Sequence, residues 1–91
     1  MSKSILQPDE KQCFITGARH NLDKHHIYHG IKNRNLADIY GCWVWLRHDV
    51  HMLLHDKDKE LDRKLQKICQ EKFEETHTRE EFRSIFGKSY L

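Results

Sequence analysis

The sequence predicts an α+β domain, two short strands followed by helices, and three observations carry that reading. "CWVWL", residues 42–46, is rich in β-branched and aromatic side chains with a period of two. "DKDKELDRKLQKICQEKFEET", residues 56–76, repeats its apolar residues at helical spacing. "TREE", residues 78–81, has the form of a capping box at the start of a further helix.

The elements follow in order. Residues 1–11 are polar and contain the single proline, which suggests a loose lead-in. "CFITG", residues 13–17, is a β-prone run stopped by Gly17, and "ARHNLDK" reads as a turn or loop. "HHIY", residues 25–28, is a brief strand. "NRNLADIYG" has room for one helical turn closed by Gly41. In "CWVWL" Cys42, Val44 and Leu46 face one way, and Trp43 and Trp45 the other, so both faces need cover. The two tryptophans are read as packing rather than as base-stacking groups.

From Arg47 the period changes to helical, with Val50, Leu53 and Leu54 recurring. Asp58 is the expected N-cap of the long helix, whose stripe is Leu61, Leu65, Ile68 and Phe73. Thr78 caps the last helix, with Glu81 as its reciprocal partner and Phe82, Ile85 and Phe86 as its stripe, and Gly87 ends it.

Ninety-one residues make one domain, with residues 57–91 as a helical brace. Nine aromatic residues argue against disorder. The net charge of +2 is spread evenly: residues 1–56 carry seven Lys/Arg and six Asp/Glu, residues 57–91 nine and eight. There is no basic arm, so any nucleic-acid contact has to come from local patterning. Cys13, Cys42 and Cys69 are odd in number and contain no CxxC pair, which points away from a disulfide framework and a four-cysteine zinc site. No signal peptide or long apolar run is visible, so a cytoplasmic protein without a membrane partner is expected.

Six of the eight histidines fall in "DKHHIYHG", residues 23–30, and "RHDVHMLLH", residues 47–55. His51 and His55 are four apart in a predicted helix, on one face, where two imidazoles can grip one divalent ion. His25 or His26 supplies a third ligand if it points at that helix. Adjacent strand residues point to opposite sides, so the two do different jobs. One binds metal, and the other is free for general-base work near neutral pH. Three ligands, an open position and a nearby base describe a catalytic metal site.

"HHIYHG … CWVWLRHDVHMLLH" resembles the HNH, or ββα-metal (His-Me finger), nuclease motif, and is similar to the nuclease domains of DNase colicins in its double histidine and closing H-x-x-x-H. "CFITG", "NRNLADIYGCWVWL" and "REEFRSIFGKSYL" also resemble small HNH-like proteins of phages and prophages. The resemblance spans roughly residues 13–91. It implies a ββα-metal finger, a short two-stranded hairpin plus helix, braced by the C-terminal helices. It implies His26 as general base and His25, His51 and His55 as ligands of one divalent ion, Zn²⁺, Ni²⁺, Mn²⁺ or Mg²⁺. Three imidazoles favour a softer ion than Mg²⁺. Two features depart from the family pattern. No Asn precedes the second strand, near Gly41–Cys42, to orient the base, and Asn33 and Asn35 come too early. The CxxC zinc knuckles of many HNH proteins are also missing.

The implied activity is endonucleolytic hydrolysis of DNA, with RNA left open, in a phage- or prophage-encoded protein of the bacterial cytoplasm. Arg19, Arg34 and Arg47 are the phosphate-clamping candidates. His29 and His48 are expected to flank the site, His20 and His29 to have surface or supporting roles rather than to ligate, and His77 to be structural or exposed. Cutting both strands would call for a homodimer through the C-terminal helices. Two rival functions are a non-catalytic nucleic-acid or protein-binding module on a degenerate HNH frame, and a structural metal protein closed by His29, His48 or Asp49.

Overall fold

The structure, a computed structural model, describes residues 3–91. Two strands, β1 (Leu22–His26) and β2 (Trp43–Arg47), pair antiparallel, with His25 opposite Val44 and His26 opposite Trp43. The connection between them carries α1 (Ile31–Tyr40). β2 runs directly into α2 (His48–Asp56), followed by α3 (Lys59–Phe73) and α4 (Arg79–Phe86). No helix among the described residues is long and apolar enough to cross a membrane.

The caps form where the side chains predict them. Asp58 accepts from Leu61 N–H at 2.9 Å, and Thr78 and Glu81 satisfy each other's backbone donors. Gly87 ends α4 in the left-handed conformation. Gly41 does the same for α1 at φ 74°, and the position is closed on its other side too. A Cβ there would sit 2.2 Å from the Lys3 carbonyl oxygen, so the residue is required both for its backbone angle and for the close approach of the N-terminal segment.

Three expectations fail. "CFITG" is a turn, not a strand: Gly17 N–H donates to Cys13 O at 2.8 Å and folds the segment back. β1 begins three residues before His25 and stops at His26, so Ile27 and Tyr28 leave the sheet and drop into the core. The single turn expected before Gly41 is a ten-residue helix with no side-chain cap, entered from Gly30 at φ 95°.

Residues 3–11 are also far from loose. Ser4 and Gln7 are buried, and they bond to the outer edge of β2. Ser4 Oγ donates to Trp43 O. Gln7 Oε1 accepts from Trp45 N–H at 2.8 Å, and Phe14 N–H donates to Trp45 O at 2.8 Å. Polar side chains thus stand where a third strand would.

The core lies between the inner face of the sheet and the helices. Val44, Leu46, Leu54, Leu65 and Cys69 are fully buried there. Tyr28 joins the brace: its ring lies 5.2 Å from Phe82 and 4.6 Å from Phe86. Its hydroxyl donates to Gln66 O at 2.8 Å. Each ring so buried stabilises the fold by about 1.5–3 kcal/mol, which ties α3 and α4 to the loop that follows the histidine pair. Leu53, by contrast, is half exposed and contributes little to the stripe of α2.

Candidate metal centre and its neighbouring base

The strand alternation separates the two adjacent histidines. His25 faces inward and is 1% exposed. His26 faces the other way, toward α1, where its Nε2 lies 3.0 Å from Asp38 Oδ1.

On the inward side, β1 and α2 meet. His51 and His55 project from one face of α2 with their Nε2 atoms 3.1 Å apart. Ligand nitrogens of His25, His51 and His55 all lie within 4.8 Å of one another. Two imidazoles on one tetrahedral ion, with bonds of about 2.0–2.1 Å, sit about 3.3 Å apart. The His51–His55 pair already has that spacing.

Charge and protonation agree with the geometry. Burial, reinforced by the imidazoles of His51, His29 and His55, pushes His25 down to about 3, so its ring is neutral with a lone pair to offer. Its Nε2 is buried without a hydrogen-bond partner, alone in this among the buried side-chain polar atoms described. Such an orphan costs about 1–3 kcal/mol unless something binds it. A cation held with His51 and His55 is the partner this atom fits. Burial also lowers His55, and the neighbouring His51 and His29 add to the effect.

Asp23 sets the tautomer of His51. Its carboxyl is held below the usual range by bonds from His51 and His48, so it is ionised and both Nδ1 atoms donate, at 3.0 and 2.7 Å. His51 is then left with its Nε2 lone pair facing His55, the carboxylate–histidine arrangement that orients metal ligands. His48 stands beside the site through Asp23, as a flanking residue.

Asp38 does the corresponding work for His26. Lys24 at 2.6 Å, and then His26, keep this carboxyl ionised. His26 therefore donates through Nε2, and Nδ1 is the nitrogen that accepts a proton. Asp38 thus holds the ring of His26 from α1, while no Asn stands directly before β2. The signal is an acidic residue on the helix connecting the strands, and a single turn before Gly41 does not single it out.

A cleft of about 260 Å³ joins the two halves, lined by Lys24, His25, His26, His29, Arg34, His51 and His55. Of the three candidate arginines, only Arg34 reaches it. Arg47 turns to Asp49 at 3.3 Å, and Arg19 lies exposed in the segment before β1. His29 sits at the rim and donates through Nε2 to Asp62 at 2.9 Å. His77 stacks on Phe73, 4.2 Å between ring centres.

No protein-family model, curated protein or solved structure matches this chain. Among the described residues the molecule is a small α+β domain with a two-stranded antiparallel sheet and four helices. Three of its histidines are close enough to hold a metal ion.

Proposed function

We propose that the protein is a metal-dependent endonuclease of the HNH kind, with β1, β2 and α2 forming a ββα-metal finger and DNA as its substrate. The observation that carries this reading is one cleft holding both a three-histidine cluster with an orphaned buried Nε2 and, on the opposite face of β1, a histidine held by a carboxylate.

His25, His51 and His55 would hold one divalent ion, with zinc, nickel or manganese better suited than magnesium to imidazole nitrogen. When bound, the ion supplies charge relief at a phosphate oxygen and at the leaving oxygen. Asp38 fixes the ring of His26 by Nε2, and His26 takes the proton of the attacking water at Nδ1. Asp38 stabilises the imidazolium that results. Arg34 neutralises the phosphate that enters the cleft.

An open coordination position separates this reading from a structural metal site. Among the described residues the ligand atoms that lie within 4.8 Å of one another belong to His25, His51 and His55, and none of His29, His48 or Asp49 joins that group. The missing Asn and the weak net charge favour the non-catalytic module; the Asp38 carboxylate beside His26 supports the catalytic reading by offering an orienting group in place of that Asn.

The test is incubation of purified protein with supercoiled plasmid and Mn²⁺, Ni²⁺, Zn²⁺ or Mg²⁺, beside His26→Ala. Cleavage lost in the variant while metal binding persists supports the proposal. No cleavage by the wild type with any of the four ions sinks it.

A further inference from the structure

The cleft accounts for the chemistry but not for how a chain of net charge +2 holds a polyanion. A second depression, of about 470 Å³, begins at His29 and is walled by Arg63 and Lys67 of α3 and by Lys88, Ser89 and Tyr90 beyond α4. His29 lines both depressions, so they meet at its ring. Arg63 and Lys67 are four apart and share one face of α3.

These cations are not spent on carboxylates. No ion pair engages Arg63, Lys67 or Lys88 among the described residues. The nearest acid by position, Asp62, is taken by His29 and only 15% exposed. Asp58 and Glu60 line a neighbouring depression that Arg63 and Lys67 also border, but neither acid forms an ion pair with them among the described residues. The wall is also fixed in place. Gln70, fully buried, donates to Ser89 Oγ at 3.0 Å and accepts from Tyr90 N–H at 2.7 Å. Lys88 Nζ lies over the Tyr90 ring, 4.9 Å from its centre.

We infer that the sugar–phosphate backbone of a nucleic-acid strand lies along this groove and crosses His29 into the cleft. Its phosphates meet Arg63, Lys67 and Lys88 on one side of the reacting bond and Arg34 on the other. The inference rests on the nuclease reading of the cleft. It replaces the missing basic arm with a local run of unpaired cations, the pattern that positions a strand without reading its sequence.

The experiment measures binding without cleavage. Fluorescence anisotropy with a labelled DNA duplex, in chelator and over a range of salt, compares wild type with Arg63→Gln, Lys67→Gln, Lys88→Gln and the triple variant. Lys72→Gln, whose ammonium already sits 3.1 Å from Glu75, is the control. Each single change should lower the salt slope by about 0.9, and the triple should bind on the order of tenfold more weakly or worse. Matched single-stranded DNA and RNA arms show which strand the groove prefers, by which arm loses most in the triple variant. Wild-type affinity in the triple variant, an equal loss in Lys72→Gln, or no binding of any polymer by the wild type overturns the groove. Its failure is distinguishable from failure of the nuclease reading: plasmid cleavage with unchanged triple-variant binding removes the groove alone, and intact groove binding without cleavage under any ion removes the nuclease alone.

Discussion

Asp38 holds His26 by Nε2 at 3.0 Å, and the same carboxylate oxygen holds Lys24 at 2.6 Å. The proposed base is thereby anchored by a carboxylate twelve residues downstream of it, on α1. Asp38→Ala should lower the plasmid cleavage rate about 10–100-fold, and His26→Ala about 10²–10⁴-fold. Asp38→Asn, which keeps the acceptor oxygen, should recover much of the loss. Zinc affinity should be unchanged in all three. A parallel fall in metal binding would mean that Asp38 supports the fold rather than the base.

Asp23 shares one carboxylate oxygen between His48 and His51. By calorimetric titration with zinc, Asp23→Ala should weaken binding about 10–100-fold. His51→Ala and His55→Ala should abolish stoichiometric binding. Zinc affinity equal to wild type in either ligand variant would remove the metal centre.

The depressed His25 makes the metal-free protein sensitive to acid. Its folded pKa of about 3 lies below the ordinary 6.5, so between those values the unfolded chain binds the extra proton. Stability is fully present above about pH 6.5 and is lost as the pH falls toward 3, with a slope of about 1.4 kcal/mol per pH unit. Urea unfolding of chelator-treated protein at about pH 7 and pH 5 measures it. His25→Gln should flatten the dependence, and an equal slope in that variant would assign the effect to other groups.

Gly41 lies at φ 74° against the Lys3 carbonyl. Gly41→Ala should destabilise the fold by about 1–3 kcal/mol or more through backbone strain and displacement of the N-terminal segment. Thermal unfolding checks this, and Gly17→Ala, which has the same sign of φ but open space around its Cβ, should cost less.

The three-histidine cluster was legible in part, because two periodicities narrow it to His51, His55 and one of the adjacent pair His25 and His26. The i, i+4 spacing placed His51 and His55 on one face, and strand alternation sent His25 and His26 to opposite sides. Asp58, Thr78, Glu81 and Gly87 were legible because capping is local chemistry. What stayed hidden depends on tertiary contact. α1 has no side-chain cap and only Leu36, Ala37 and Tyr40 to bury, too little to announce a helix, and Asp38 was hidden with it. Ser4 and Gln7 look like solvent-facing polar residues until β2 stands beside them. "CFITG" has the composition of a strand, but only Phe14 bonds to the edge of β2 before the Gly17–Cys13 bond turns the segment back.

The outer edge of β2 has one further consequence. A two-stranded sheet ordinarily offers bare amides and carbonyls to any passing extended chain. Ser4 Oγ, Gln7 Oε1 and Phe14 N–H occupy the offers of Trp43 and Trp45 from within the same molecule. The first few residues thus act as a guard against intermolecular strand addition, and clipping them would open a template for aggregation that leaves the histidine cleft itself untouched.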